Sequence, residues 1–554
     1  MNTFAFRFRQ SRSCRWRFVS RKVCGVAHAV KSRWFDSENR VAGYALTNSL
    51  GRGVTATLAY DGSRMSGMTF VLPNGGTFST ALTRNAARPD LVTRRAYSAN
   101  GSSIYSYDTT FDLLGRPVNA TDSQSLVRSY LYNRRNELAA ATIGTNAYEY
   151  AYDTIGNRTV ASANSVTNTY AANDLNQYTQ IDASQLTYDN DGNMTQDDRF
   201  AYTYDAENRL LSVRPILPTE GALAVVNAYD HKHRRVGKTV ERFDGEEWQT
   251  VETHAFVYDG GNIVLEKIAS PDGTTRIVEY FWGNDLSGSE QGAGGVGGLL
   301  AVSIDGTFYF PCYDQNGNAV CYVSESGTIV AQYVFDPYGN VIDQYGALAD
   351  AFAIRFSTKY TDSETGLISY LRRFYHPPNG RWLNRDPIEE EGGENLYAFC
   401  ENSPLGYVDA FGFQIVVVRH LVGKSPPGGW GDGGRNRGQT HYKEPDISCK
   451  EVKKVNGKIG FAVSIDPPIT IINVYFREDE GLDVTSNNEN QHIALYIILD
   501  NAIEKFKRVA EDIVECPDEA YRLLDFAHKN LQKVRVYVAA ENNRLDAPGG
   551  PHGH

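Results

Sequence analysis

An aromatic residue followed by aspartate recurs from Tyr60-Asp61 to Phe335-Asp336, and in several places it continues as aromatic-Asp-x-x-Gly-Asn. The clearest copies are YDTIGNRTVAS from Tyr152, YDNDGNMTQ from Tyr188, YDQNGNAVCYV from Tyr313 and FDPYGNVIDQY from Phe335. Tyr107-Asp108, Phe111-Asp112, Tyr204-Asp205, Tyr229-Asp230 and Tyr258-Asp259 extend the series. Each unit has a physical reading. The aromatic ends a strand, the carboxylate caps a turn, Gly supplies the positive φ, and alternation such as Arg158-Thr159-Val160 starts the return strand. These are hairpins, and one hairpin cannot bury its face alone, so the array must stack. Intervals of 36, 16, 25 and 29 residues between Tyr152, Tyr188, Tyr204, Tyr229 and Tyr258 favour an irregular spiral sheet over a strict solenoid or propeller.

Composition agrees. The chain has 34 Tyr against 25 Phe, 50 Gly and only 4 Met, which suits half-exposed strands and turns rather than helix bundles. At 554 residues it is too long for one core. A formal net charge of −11 lacks the footprint of a nucleic-acid binder, so no nucleic-acid partner is indicated. No run of 18 apolar residues is present, so no membrane span is expected. The first 35 residues are basic, with no acid before Asp36. They read as a disordered N-terminal segment without a convincing signal peptide, their best apolar run being interrupted by Gly25 and His28. Seven scattered Cys do not make a disulfide framework. Asn316-Gly317 reads as a two-residue turn that sets Cys312 opposite Cys321, either as packed thiols or, in an oxidising compartment, as a cross-strand disulfide.

The array ends in a non-repeating block, YLRRFYHPPNGRWLNRDPIEEEGGENLYAFCENSPLGYVDAFG, over residues 370–412. The Y-D-x-x-G-N units resemble the YD repeats of the RHS family. Residues 356–412 resemble the RHS repeat-associated core domain, on Gly366-Leu367, the RRFYHP segment, Gly380-Arg381-Trp382, Arg385-Asp386-Pro387, Gly392-Gly393, Asn395-Leu396-Tyr397, Asn402, Val408-Asp409 and Phe411-Gly412. The resemblance implies a mainly β fold: YD-repeat hairpins coil into a hollow β-shell over 36–355, and a core plug over 356–413 closes it. A variable C-terminal domain follows the plug in that family, often a toxin or effector. Secretion or cell-surface display is implied with it.

Some members cut themselves just after the core domain with paired aspartates. Carried over by position, Asp386 and Asp409 are the pair, Arg385 is the supporting cation and the cut falls near Phe413. Two carboxylates sharing one proton supply a base for water and an acid for the leaving amide. The acidic run Glu389-Glu390-Glu391 would push a neighbouring carboxyl further up. The family pattern D-P-x-G is altered at both sites, with Glu389 in place of the first Gly and Ala410 in place of the second Pro. The competing reading makes both aspartates turn caps.

Beyond the plug the character changes. Residues 414–440 form a Gly/Pro-rich connector, 441–545 a small α+β domain ending in a helical hairpin, and 546–554 a disordered tail. Strand-like runs fall at 458–465 and 469–476, and helices start near Glu489 and Pro517. NENQH at 488–492 places Glu489 and His492 as in the H-E-x-x-H of zinc peptidases, but Asn488 stands where the first His must be. The site then reads as a degenerate zincin, or simply as a helix start capped by Asn487 or Asn488. No cofactor is expected.

Two classes of function therefore stand. One is delivery: the C-terminal part of a polymorphic toxin, whose shell encloses or presents its own C-terminal domain as cargo, with an immunity protein as partner. The other is a structural or adhesive surface array with an inert or binding tail and a cell-surface target.

Overall fold

A computed structural model describes residues 30–413 and, beyond them, the backbone of short strands at Ile415–Val417, Gln439–His441, Lys454–Val455, Lys458–Ile459 and Ile471–Asn473. The basic segment, Glu489, His492 and the helical hairpin lie outside the described residues. Of the strand runs expected after the connector, Lys458–Ile459 pairs with Lys454–Val455, and Ile471–Asn473 with Gln439–His441. They belong to a compact unit, Lys424–His554, separate from the unit Met1–Gly423 that carries everything below.

Within the first unit the chain is a meander. Residues 30–185 form a 15-stranded sheet and 187–345 a 14-stranded one, every strand antiparallel to the next in sequence. The two sheets meet through aromatic rings: Phe310 lies tilted 5.0 Å from Phe70 and stacks at 5.1 Å on Phe78. Such rings gain from burial and from offset geometry together. Polar groups cross the same seam. The Tyr97 hydroxyl accepts the Tyr313 N–H at 2.7 Å, and Asn48 Nδ2 donates to Ser303 Oγ at 3.2 Å.

The repeat unit is a capped turn whose chemistry is the same wherever it occurs. Asp153 Oδ1 accepts the N–H groups of Ile155 and Asn157, and Oδ2 accepts Asn157 Nδ2. Gly156 sits at φ 88° between them. Asp189, Asp205, Asp230, Asp314 and Asp336 repeat this pattern, with Arg or Asn at the fourth position after the Asp closing the ring of bonds. The unit tolerates more than the sequence pattern required. Asp36 caps a copy, and Asn133 and Asn173 replace the acid while still receiving both N–H groups. A side-chain amide oxygen accepts as a carboxylate does, so the turn survives without the charge.

Not every Tyr-Asp marks this turn. Tyr107-Asp108 lies inside the strand Ser102–Phe111, with Asp108 opposite Thr121, and the turn falls instead at Asp112. Tyr60-Asp61 and Tyr258-Asp259 end strands at two-residue turns, Asp61 opposite Arg64 and Asp259 opposite Asn262. The Asn316-Gly317 loop is longer than two residues, because Asp314 caps it and Tyr313 pairs with Ala319. A bulge between Cys312 and Tyr313 restores the register, and Cys312 faces Cys321 as two fully buried free thiols.

A test of the turn chemistry follows. Burial alone would raise the Asp205 carboxyl, but the N–H groups of Arg209 and Glu207 and the Arg209 side chain hold it below the ordinary carboxylate value. That stability is present above the unfolded-state value and is lost as pH falls through the folded one. Asp205→Ala is expected to cost about 1–2 kcal/mol, read as faster amide exchange in the adjoining strands at pH 7. Exchange equal to wild type would show that the carboxylate does not hold the turn.

Residues 356–413 form the plug, a four-stranded sheet from Tyr360 to Trp382 followed by turns. Its side chains dock on the capped turns of the array. Tyr397 Oη donates to Gly192 O at 2.8 Å, Asn402 Nδ2 to Gly156 O at 2.8 Å, and Asn395 Nδ2 to Asn157 Oδ1 at 2.9 Å. Arg381 donates to Asn176 O and lies 3.7 Å over the Tyr178 ring. In the other direction, Asn340 and Asn316 donate to the carbonyls of Pro377 and Pro404. A buried ion cluster joins Arg235 to Asp362 at 2.7 Å and Lys238 to Glu364 at 3.1 Å. Several of the residues that make the 370–412 block recognisable, Arg381, Asn395, Tyr397 and Asn402, thus satisfy turn groups of the shell.

Candidate functional site

Arg373 organises the site. It comes from the plug strand Phe374–His376 at its leading edge, and its guanidinium lies 4.2 Å over Trp382, which is 1 % exposed. The rings of Tyr370, Tyr375 and Phe399 surround that Trp at 4.9 to 5.7 Å. So packed, the guanidinium has one orientation. Its Nη2 donates to Asp386 Oδ2 at 2.7 Å and lies 3.7 Å from Asp409 Oδ2. The two aspartates, 23 positions apart in sequence, therefore meet on one nitrogen.

Asp386 lies 7 % exposed and Asp409 1 %. Asp386 Oδ1 accepts the Ile388 N–H at 3.0 Å. Burial pushes its carboxyl up to about 6; Arg373 and the Ile388 N–H oppose the rise, and Asp409 adds to it. Glu389, Glu390 and Glu391 are exposed, and burial rather than the acidic run accounts for the shift.

Asp409 sits at the start of a turn in which three successive N–H groups and three successive carbonyls are paired. Its Oδ1 accepts the N–H groups of Phe411, Gly412 and Phe413 at 3.1, 2.7 and 3.2 Å. The carbonyls of the same stretch are taken in succession: Ala410 O by Lys359 Nζ, Phe411 O by the Arg372 N–H, and Gly412 O by Arg373 Nε. Strand Tyr407–Asp409 pairs with Ile415–Val417, Asp409 opposite Ile415, so the turn over 410–413 lies between two paired strands. One peptide bond has a distinctive setting. The Gly412–Phe413 carbonyl faces the guanidinium, and its N–H faces a carboxylate.

The structure brings Asp386, Asp409 and Phe413 together, but not Arg385. Arg385 is exposed and lies against Gly192 and near Tyr397, and the cation on the aspartates is Arg373. Arg373 and Lys359 were not singled out from the sequence, although Arg373 lies in the quoted RRFYHP segment. Nothing local distinguishes it from Arg372, since only the packing on Trp382 selects the one that turns inward. Among the described residues no group of three His, Cys, Asp or Glu is placed to hold a metal.

Both departures from D-P-x-G are accommodated. Glu389 adopts φ 54°, the left-handed conformation that the replaced Gly would take freely, while Gly412 keeps φ 85°. A β-carbon in that region costs on the order of 1 kcal/mol. Glu389→Gly is expected to stabilise the plug by about that amount, read as slower amide exchange over 386–396. No change would mean that the surrounding turn already absorbs the strain. Ala410, where the family has Pro, is fully buried and contributes the carbonyl that Lys359 takes. Gly392 packs so closely on the Asp386 carboxylate that any side chain there would overlap it.

Comparison with known proteins agrees with the fold. The teneurin YD-shell family matches residues 79–405. The chain belongs to that family. As a YD-shell protein it is 30% identical over 300 residues to a tRNA3(Ser)-specific nuclease WapA of Bacillus spizizenii, covering 52% of this chain and 12% of the relative. It is 27% identical over 328 residues to double-stranded DNA deaminase toxin A of Burkholderia cenocepacia, covering 56% and 22%. Toxin protein Tse5 of Pseudomonas aeruginosa is 26% identical over 361 residues, covering 56% and 27%. The chain thus spans between 12% and 27% of the length of these relatives. Among solved structures, the TcdB2-TccC3 complex superposes with a TM-score of 0.54 at 17% identity, over 69% of this YD-shell chain and 22% of that one. That likeness is one of fold. Together these make the protein an RHS/YD-repeat β-shell of the kind found in polymorphic toxins. Among the described residues no helix is long and apolar enough to cross a membrane.

Proposed function

We propose that the YD-shell presents the residues beyond 413 as cargo and that its plug cuts the chain at Gly412–Phe413 to free them. The observation that carries this is the seating of that peptide bond between Arg373 and Asp409, with Asp386 on the same guanidinium. Water adds to the Gly412 carbonyl carbon while Arg373 Nε takes the charge that develops on oxygen. Asp409 and Asp386 share one proton between them; one accepts a proton from water and the other gives one to the Phe413 nitrogen as the C–N bond breaks. The products are a Gly412 carboxylate and a Phe413 amine. Asp386, with its carboxyl raised to about 6, is the natural holder of the shared proton.

A toxin or effector role for the cargo is supported by the named toxins among the relatives, and a protective immunity protein is the partner such a cargo needs. Secretion or surface display is supported by the same comparison. The test is expression of the full chain in bacteria, directed to cytoplasm or periplasm, as wild type and as Asp386→Asn. Growth arrest by the wild type in one compartment, relieved in the variant, is expected. Equal growth in both compartments would favour an adhesive or structural array.

A further inference from the structure

The glycine-rich run 292–298 reads in sequence as a loop rather than a phosphate cradle, since no strand-then-helix context surrounds it. In the fold it touches the Asp409 turn, beside Gly261, which lies against the Phe411 ring. Gly294 adopts φ 60°, and a methyl group there would overlap the backbone of Ala410. Lys359, 9 % exposed, spans the contact: its Nζ donates to Gly294 O at 2.5 Å and to Ala410 O at 2.7 Å. The loop has its own supports. Asp285 Oδ2 accepts the N–H groups of Ala293 and Gly295 at 2.8 and 3.0 Å, and the Gly297 N–H donates to Thr358 Oγ1 at 2.8 Å. A buried lysine whose protons go to two backbone carbonyls, one from the shell and one from the turn to be cut, is an expensive feature that packing alone does not require. Burial lowers its ammonium to about 8, against the pull of Asp409 and Asp285.

We infer that the 285–298 loop and Lys359 form a clamp in which the shell itself seats the Asp409–Phe413 turn, so that the cut is made only on a plug docked in its array. The consequence for cleavage rests on the self-cleavage reading; the clamp does not. Lys359 is a positioning residue, since it touches Ala410 rather than the bond that breaks. Such an arrangement prevents release of the cargo before the array has folded, because in an undocked plug Lys359 lacks the Gly294 carbonyl that holds it on the turn.

The experiment separates the two ideas by using uncut protein. In an Asp386→Asn background, Lys359→Met and Gly294→Ala are each expected to speed amide exchange at Phe411, Gly412 and Phe413 by about tenfold or more, with Tyr375 and Trp382 unchanged. Gly273→Ala is the control: Gly273 also has a positive φ, 87°, but open space around it and a place outside the loop, and exchange at 411–413 should stay within about twofold of its parent. Unchanged exchange at 411–413 in Lys359→Met and Gly294→Ala would overturn the clamp, and so would a loss of protection spread over the whole of 356–413 in both. With Asp386 restored, Lys359→Met should slow the appearance of the Phe413 amino terminus. A wild type that never cuts would sink the cleavage reading and leave the exchange result to judge the clamp.

Discussion

Asp386→Asn is expected to leave the chain as one uncut species of 61.6 kDa, where the wild type yields a fragment whose amino terminus is Phe413. The amide of Asn is close in size to the carboxyl and can still accept from Arg373, so the plug should fold, but it can neither take nor return a proton. Loss of a positioned acid or base typically costs about 10²–10⁴ in rate, which on the time scale of expression means no product. The pH dependence has a definite sign. If Asp386 must carry the shared proton, its active form is populated below about 6 and declines above it. Cleavage on refolding from denaturant should therefore slow about tenfold per pH unit through the neutral range. Mass spectrometry of the amino terminus and the half-time at several pH values together decide the matter. An intact wild-type chain ends the proposal, and a rate that rises with pH removes Asp386 from the role of acid.

The second large effect is expected for Arg373→Met. The substitution keeps an apolar stem against Trp382 but leaves two buried carboxyls without their cation. Removing one partner of a buried ion pair costs about 3–5 kcal/mol because the remaining charge stays desolvated. The loss should depend on pH. Asp386 has a folded-state value raised above its unfolded one, so its favourable contribution is full at low pH and is lost as pH rises through about 6. Without Arg373 to oppose it, that rise becomes larger. The variant should therefore be most unstable at pH 8 and recover towards pH 5, as measured by amide exchange in the plug. Cleavage should be absent at either pH, because no other group on Gly412 O can take the developing charge. A loss of stability independent of pH would show that Arg373 holds the plug by packing on Trp382 rather than by charge.

How much of this was legible beforehand can be judged residue by residue. The hairpin turns were legible because their chemistry is local: an acceptor at one position and a left-handed residue three positions later satisfy the same backbone groups wherever they occur. Where the acceptor is Asn133 or Asn173, the Tyr-Asp spelling hides a turn of identical bonding, and where Tyr-Asp falls mid-strand, as at Tyr107-Asp108, it promises a turn that is absent. The Cys312 and Cys321 pairing was found through a turn of the wrong length, rescued by a bulge. Asp386 and Asp409 were found by resemblance of the block around them. The resemblance points to Arg385 as their cation, whereas packing on Trp382 brings Arg373 to them instead.

Short-range bonds and a dense motif thus carry the repeating hairpin and the mainly β class. Tertiary structure alone decided that Arg373 turns inward onto Trp382 and Arg385 outward onto Gly192, that Glu389 takes the conformation of the glycine it replaces, and that the 292–298 loop meets Ala410 through Lys359. Those outcomes depend on which side chains pack together across 9 to 193 positions of chain, as between Arg373 and Trp382 or between Arg385 and Gly192. Local patterns carry no record of such distances, whereas packing permits only one solution to them.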